Sequence, residues 1–211
     1  MPVLLIASAE PRAGRSVIAA ALAYRLGREG HAATLVRLSG DESADADART
    51  FAALDGIVAG HAAMDADALS NLAASGTIVA EAPPGAVTQL AASLRAKVVV
   101  VAGPSSPAMD APKDAIIGTI VSNVPAASVP EQTRREGVLA VLPEDRVLAA
   151  PSVADIAASL HAEWLVRGAG PHSVGRVMIG TVASDAAQPY FSAREHTCVV
   201  TRFDKTDVPL A

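Results

Sequence analysis

The sequence predicts an α/β protein in which a mostly parallel sheet carries helices on both faces. Five or six short, almost wholly apolar runs recur along residues 1–150, and most are separated by stretches with helical spacing. This alternation is typical of parallel strands joined by crossover helices. A hydrophobic fraction of 51% supplies ample material for a core in a chain of 211 residues.

The opening of the chain predicts a strand, a loop and a helix. The run Val3–Ala7 is apolar throughout and forms the predicted strand. A helix is predicted over residues 16–28 because aliphatic side chains recur there at helical spacing, namely Ile18, Leu22 and Leu26. Gly30 ends that helix, and residues 33–38 form a second run suited to a buried parallel strand.

The same alternation continues to residue 142. The acidic segment Gly40–Ala48 predicts a loop. The predicted helices that follow are 51–58, 67–74 and 86–94, and the predicted strands are 76–80, 97–102, 116–122 and 137–142. The connection Gly103–Asp114 contains three prolines, so a full crossover helix is not predicted there.

A second, smaller α/β domain is predicted after residue 150. Domain one is expected to span residues 1–150 and domain two residues 151–211. Ser152–Leu160 has the pattern of a capped helix, and Val174–Ile179 and Thr197–Thr201 predict strands. A partly helical segment is predicted between these two strands, over Ala183–Arg194.

Composition excludes several classes of function. The formal net charge of −5, with acids and bases mixed along the chain, provides no basic stripe for nucleic acid. The longest apolar runs are far shorter than the roughly 20 residues that span a bilayer, so no membrane span is predicted. Cys198 is the only cysteine, and residues 1–7 predict a strand rather than a signal peptide, so we expect a cytoplasmic protein.

The loop between the first strand and the first helix partly matches the phosphate-binding template GxxxxGK[ST]. In the segment Ala9–Ser16, Gly14 and Ser16 match, Arg15 replaces the lysine, and Ala9 replaces the first glycine. A helix N-terminus in this position favours an anion. The expected phosphate-binding residues are Arg12, Ala13, Gly14, Arg15 and Ser16. An ordinary strand-to-helix turn, with Ser16 as a helix cap, remains an open alternative.

Several segments together resemble the dethiobiotin-synthetase-like P-loop proteins, in the form that is fused to bacterial phosphotransacetylases and to DRTGG domains. The similar segments are LLIASAEPRAGRSVIAAALAYRLGREGH, IVAEAPPG, IVSNVP, GVLAVLPEDRVLAAPSVADIAASL and VVTRFDKTDVPLA. The resemblance implies a P-loop NTPase-like first domain and a partial DRTGG-like second domain. It places Arg37 where the family has a lysine.

The resemblance also implies roles for single residues. The acid at a strand end, Glu81, corresponds to a group that acts on Mg²⁺ or on catalytic water, with Ser16 and Asp45 as further metal ligands. Acidic loops are commonly just solvated, and we favour that interpretation for Asp45 and the nearby Asp47. The adenine base is expected at Asn123, with Pro143 and Glu144, although an Asn before a Val-Pro turn is also a common structural choice.

Three functions are compatible with these observations. The first is a nucleotide-binding regulatory or assembly protein that holds ATP or another nucleotide, with Mg²⁺, and shows weak or no turnover. The second is a catalytically dead structural subunit of a larger complex. The third is an ATP-dependent ligase of the dethiobiotin synthetase or cobyrinate amidase type, which needs a lysine-like group where this chain has Arg15. Analogy with dethiobiotin synthetases implies a homodimer, and a protein partner is the alternative.

Overall fold

The computed structural model describes most of the chain, and its contacts form two compact units, Met1–Glu144 and Asp145–Ala211. The described residues are 3–10, 13–60, 62–71, 76–107, 109, 111–145, 148–168, 173–180, 189–191, 193, 195–202 and 204. Within this part of the chain, no helix is both long enough and apolar enough to cross a bilayer.

The first unit is built on one parallel sheet. Its strands are β1 (Val3–Ala7), β2 (Ala33–Arg37), β3 (Val58–Ala59), β4 (Thr77–Glu81), β5 (Lys97–Ala102), β6 (Ile116–Val124) and β7 (Val138–Pro143). All neighbouring pairs are parallel, in the order β3-β2-β4-β1-β5-β6-β7. The helices are α1 (Arg15–Arg28), α2 (Ala44–Ala52), α3 (Ala66–Asn71), α4 (Val87–Ser93) and α5 (Val129–Thr133). The predicted α/β class with a parallel sheet is confirmed.

Each face of the sheet has its own apolar cluster. Leu5 packs in the cluster that contains Leu69 of α3 and Val87 of α4. Ile6, the next residue of β1, packs in the other cluster, which contains Ile18 of α1 and Phe51 of α2. Successive side chains of a strand point to opposite faces, so the two clusters lie on opposite sides of the sheet. The prediction that helices cover both faces is confirmed.

The acidic segment after β2 is a helix where the sequence predicted a loop. Helix α2 begins at Ala44, and its Ala44, Ala48 and Phe51 are buried on one side. Asp45 and Asp47 lie in its first turn, where acidic side chains favour a helix N-terminus. The prediction of a helix over residues 51–58 was wrong. Helix α2 ends at Ala52, and residues 58–59 form the short strand β3.

The proline-containing connection between β5 and β6 has no crossover helix in its described residues. Turns and bends replace one. Ser106 Oγ accepts a hydrogen bond from the Gly103 backbone N–H at 2.6 Å and donates one to Glu10 Oε2 at 2.7 Å. The prediction of an irregular connection is confirmed, and the connection is tied to the loop that follows β1.

The second unit contains helix α6 (Val153–Ser159) and the parallel pair β8 (Arg176–Gly180) and β9 (Thr197–Thr201). Ser152 caps α6, since its Oγ accepts from the Asp155 N–H at 3.0 Å and Asp155 Oδ2 accepts from the Ser152 N–H at 3.1 Å. This reciprocal pair confirms the predicted capped helix. Most of the segment 183–194, predicted as partly helical, lies outside the described residues.

Candidate functional site

Three neighbouring strands bring their carboxyl ends together at one edge of the sheet. Arg37 at the end of β2 pairs in register with Glu81 at the end of β4, and Glu81 pairs with Ile6 near the end of β1. The β1–α1 loop therefore begins beside Glu81, and Arg37 lies on the other side of Glu81. In open α/β sheets, ligands bind outside the carboxyl ends of the strands.

Helix α1 presents its N-terminus at this edge. Gly14, its N-cap residue, has φ 92° and ψ 19°, a left-handed conformation that glycine adopts without strain. No side chain caps the helix there. The first-turn N–H groups have no acceptor within the helix, so this end of α1 can accept an anion. Ser122 Oγ of β6 donates to the Ala13 carbonyl at 2.8 Å and so fixes the last part of the loop.

The side chain of Arg15 is directed into the protein and is 11% exposed. Its Nη1 donates to the Ala82 carbonyl at 2.6 Å, and its Nε lies 3.7 Å from Glu81 Oε1. The cation that replaces the template lysine therefore lies at the start of α1 but already has two partners in the protein. A phosphate must compete with these two contacts for Arg15.

Glu81 is a buried carboxylate between two guanidinium groups. It is 1% exposed, and its Oε1 accepts a hydrogen bond from Ser16 Oγ at 3.1 Å. Its Oε2 is buried, lies 3.8 Å from Arg37 Nε, and accepts no hydrogen bond from any described residue. Burial raises the pKa of Glu81 above its ordinary value, although Arg37, Ser16 and Arg15 act in the opposite direction.

Arg37 is the centre of the charged cluster, and its side chain is fully buried. Its Nη2 donates to both carboxylate oxygens of Asp41 at 2.6 and 2.7 Å, and its Nε donates to Asp47 Oδ2 at 3.2 Å. Its Nη1 donates to the Leu38 carbonyl at 2.7 Å. Burial opposes the charge, but Asp41, Glu81 and Asp47 outweigh it and raise the pKa of Arg37.

The resemblance places Arg37 where the family has a lysine, and it does not indicate this central role. Its donors are directed at protein acceptors, so Arg37 holds the cluster together. The feature of the sequence that indicates this role is a basic residue at the end of a strand, shortly before an acidic run.

A cavity of about 250 Å³, here called the α1 cavity, lies at the start of α1. It is lined by Gly14, Arg15, Ser16, Val17, Ser43, Asp47 and Glu81. Pockets that enclose whole small-molecule ligands usually measure about 300–1,000 Å³. The α1 cavity therefore has room for a phosphate group or two, and a nucleoside attached to them would extend beyond it.

The structure brings together five of the residues that the sequence predicted for the phosphate and metal sites. Gly14, Arg15, Ser16 and Glu81 line the α1 cavity, and Ala13 directly precedes them. Asp45 is exposed on α2 and is absent from the lining, which contains Asp47 instead. Arg12 lies outside the described residues, so its predicted role stays a prediction.

The residues predicted to bind the base also lie close together. Val124, next to Asn123, pairs with Pro143, and the Glu144 N–H donates to the Val124 carbonyl at 2.9 Å. Asn123 is exposed and has φ 56°, which asparagine tolerates better than most residues. Ser122, its other neighbour, contacts the β1–α1 loop through Ala13. This proximity is compatible with a base site, which stays a prediction.

The groups expected to bind Mg²⁺ do not fit that ion as they are arranged. The hydroxyl of Ser16 donates to Glu81, and Arg15 lies beside the same carboxylate oxygen. The other Glu81 oxygen is buried against Arg37. Among the described residues, no group of three or more His, Cys, Asp or Glu side chains is arranged to hold a metal ion.

No protein-family model matches the chain, and a search of curated proteins also gives no match. The function proposed below therefore depends on the geometry of the α1 cavity and its surroundings.

The raised pKa of Glu81 predicts how stability depends on pH. A carboxyl group whose pKa is higher in the folded state stabilises the fold at low pH, and this contribution is lost as the pH rises through the folded pKa. Glu81→Gln removes the titration. We expect the unfolding free energy of the wild type to fall relative to that of Glu81→Gln as the pH rises above 4.5, the ordinary value.

Urea unfolding of both proteins at a series of pH values measures this difference. Asp41, whose pKa is lowered, is present in both proteins, so its contribution largely cancels. A difference between the two proteins that is constant with pH would show that Glu81 does not have a raised pKa.

Proposed function

We propose that this chain is a P-loop-like nucleotide-binding protein with weak or no turnover, which acts as a regulatory or assembly protein. The phosphates of the nucleotide bind at the N-terminus of α1, in the α1 cavity. The base lies along the carboxyl edge of the sheet, toward Asn123, Pro143 and Glu144. The observation that carries this proposal is the left-handed Gly14 at an uncapped helix start, with Arg15 and Ser16 lining the same cavity.

Weak or absent turnover follows from the partners of Arg15. A P-loop lysine is a compact ammonium that reaches the outer phosphates. Arg15 is a broad, planar group, and it donates to the Ala82 carbonyl and lies beside Glu81. Phosphoryl transfer depends on positioning and on stabilising developing charge, and a cation that must first leave two partners is poorly prepared for this.

The contacts of Arg15 with the Ala82 carbonyl and with Glu81 favour a second candidate function, a structural subunit that binds no nucleotide. In that case Arg15 and Glu81 form a permanent internal pair that stabilises the start of α1. The second unit would then serve only as a surface for partners. In the preferred proposal it is a partial DRTGG-like domain that passes on the nucleotide state, within a homodimer or with a protein partner.

Thermal unfolding with and without nucleotide separates the two candidates. A ligand at 100 times its dissociation constant stabilises the folded state by about 2.7 kcal/mol. For a chain of this size, that corresponds to a rise in Tm of roughly 5–11 °C. We expect such a rise with ATP or another nucleoside polyphosphate, and no release of inorganic phosphate over the same period.

Ser16→Ala removes a side chain from the α1 cavity and should reduce the rise in Tm. Ser93→Ala is the control, because Ser93 is an exposed hydroxyl near the end of α4. If no nucleoside polyphosphate raises the Tm of the wild type, the structural-subunit function replaces the nucleotide-binding one. Rapid release of phosphate would instead show that the chain is an enzyme.

A further inference from the structure

We infer that the α1 cavity binds the nucleotide as a metal-free polyanion, so that divalent cations do not promote binding and compete with it. This inference rests on the proposed nucleotide-binding function and specifies the form of its ligand. It departs from the expectation that Ser16 and Glu81 hold Mg²⁺. The reason lies in the contacts of Glu81.

One carboxylate oxygen of Glu81, Oε1, already has two partners. Oε1 accepts a hydrogen bond from Ser16 Oγ at 3.1 Å, and Arg15 Nε lies 3.7 Å away. A metal ion at Oε1 would share that oxygen with the Ser16 hydrogen bond and would approach the Arg15 cation. The Ser16 hydroxyl keeps its lone pairs while it donates to Glu81, so the obstacle to a metal ion is the positive charge of Arg15 and not this hydrogen bond.

The other oxygen of Glu81 has no hydrogen-bond donor among the described residues, which would ordinarily suggest a missing cation. That oxygen is buried, however, and faces Arg37 Nε at 3.8 Å. Arg37 has no exposed side-chain surface and is held by Asp41 and Asp47. The positive charge that Oε2 faces is therefore built into the protein, and an ion cannot replace Arg37 without breaking the whole cluster.

The second acid in the cavity is also paired. Asp47 Oδ2 accepts from Arg37 Nε at 3.2 Å and from Ser43 Oγ at 2.8 Å. Each carboxylate that lines the α1 cavity thus already has an arginine partner, Arg37 for Asp47 and both arginines for Glu81. The groups left for a phosphate are the first-turn N–H groups of α1, while Arg15 stays beside Glu81. These groups recognise negative charge directly and need no bridging metal.

Isothermal titration of the wild-type chain with ATP tests the inference. One buffer contains MgCl₂ and the other contains EDTA, at equal ionic strength. We expect the affinity in EDTA to equal or exceed the affinity in Mg²⁺. A higher affinity in Mg²⁺ than in EDTA would overturn the inference and leave the proposed function standing. Absence of binding in both buffers would contradict the proposed function itself, and the inference with it.

Glu81→Gln gives an independent result in the same two buffers. The substitution removes a negative charge beside Arg15, so we expect ATP to bind more tightly in EDTA, by about threefold or more, which is the effect of a modest charge interaction. If Glu81 were a metal ligand, the variant would instead lose affinity in Mg²⁺, and that result would overturn the inference. Glu131→Gln is the matched control, because Glu131 is exposed on α5 and does not line the α1 cavity.

The fold of each variant is checked by circular dichroism and by its Tm without ligand. The comparison of the two buffers on the wild type needs no variant, so the inference stays testable if Glu81→Gln fails to fold.

Discussion

Replacing Arg37 with alanine is expected to cause the largest loss of stability at this site. The substitution leaves Asp41, Asp47 and Glu81 without the cation that lies between them. Removing one partner of a buried ion pair costs about 3–5 kcal/mol. Globular domains have only about 5–15 kcal/mol of stability, so the variant would lose a large part of its unfolding free energy. The expected fall in Tm is roughly 6–20 °C.

Thermal and urea unfolding measure this loss against two controls. Arg28→Ala removes an exposed arginine in the last turn of α1 and should change stability by less than about 0.5 kcal/mol. Arg37→Lys keeps the charge but loses the planar fork, so its stability should be intermediate. A Tm for Arg37→Ala equal to that of Arg28→Ala would mean that the cluster does not stabilise the fold.

The pH dependence of Arg37→Ala provides a further check. Burial alone would raise the pKa of Asp41, but its hydrogen bonds from Arg37 and Ser43 lower it overall. A carboxyl group with a lowered pKa contributes stability above its unfolded pKa, and this contribution is lost as the pH falls through the folded pKa. The difference between the wild type and Arg37→Ala should therefore shrink in acid, below the ordinary pKa of Asp41.

Gly14→Ala is expected to have the second largest effect, and it acts on both stability and binding. The φ of 92° at Gly14 lies in the left-handed region, where a Cβ costs about 1–2 kcal/mol. Space is not the difficulty, since the nearest atom to an added Cβ is Ser122 Oγ at 3.5 Å. Relief of the strain would turn the first N–H groups of α1 away from the α1 cavity. We expect nucleotide affinity to fall at least about tenfold, the equivalent of 1.4 kcal/mol.

Gly27→Ala is the matched control, because it is the same substitution in the same helix. Nothing lies within 4 Å of a Cβ added at Gly27, which is in the helix and exposed. Alanine is favoured over glycine inside a helix by roughly 0.5–1 kcal/mol, so this variant should be more stable than the wild type. Its nucleotide affinity should not change. Equal effects of the two substitutions on affinity would exclude a role for the Gly14 conformation in binding.

Local patterns in the sequence were sufficient to predict most of the elements. The runs Val3–Ala7 and Lys97–Ala102 are strands with those same bounds, because a short apolar run has few alternatives when both sides of it are turns. The prediction of a loop around Asp45 was wrong. It was based on the acidic residues, whereas Ala44, Ala48 and Phe51 have the spacing of one buried helix face. The two-residue strand β3 is too short to have a pattern.

The arrangement of the site depended on contacts that no local pattern contains. The sequence identified Arg15, Ser16 and Glu81 as separate candidates. Their contact requires β4 to lie next to β1, with β2 on the other side of β4, and strand order is a property of the whole sheet. The pairing of Arg37 with Glu81 has the same origin. Sequence reasoning could therefore propose the chemistry, but it could not show that Arg15 and Glu81 neutralise each other.

In the proposed function the first N–H groups of α1 bind a polyanion, and amide NMR observes these groups one by one. ATP is titrated, in EDTA, into ¹⁵N-labelled protein. We expect the amide signals of Gly14, Arg15 and Ser16 to shift together and saturate, with smaller changes near Asn123. Unchanged signals for these three amides at ATP concentrations that saturate the protein, or shifts confined to residues 145–211, would contradict it.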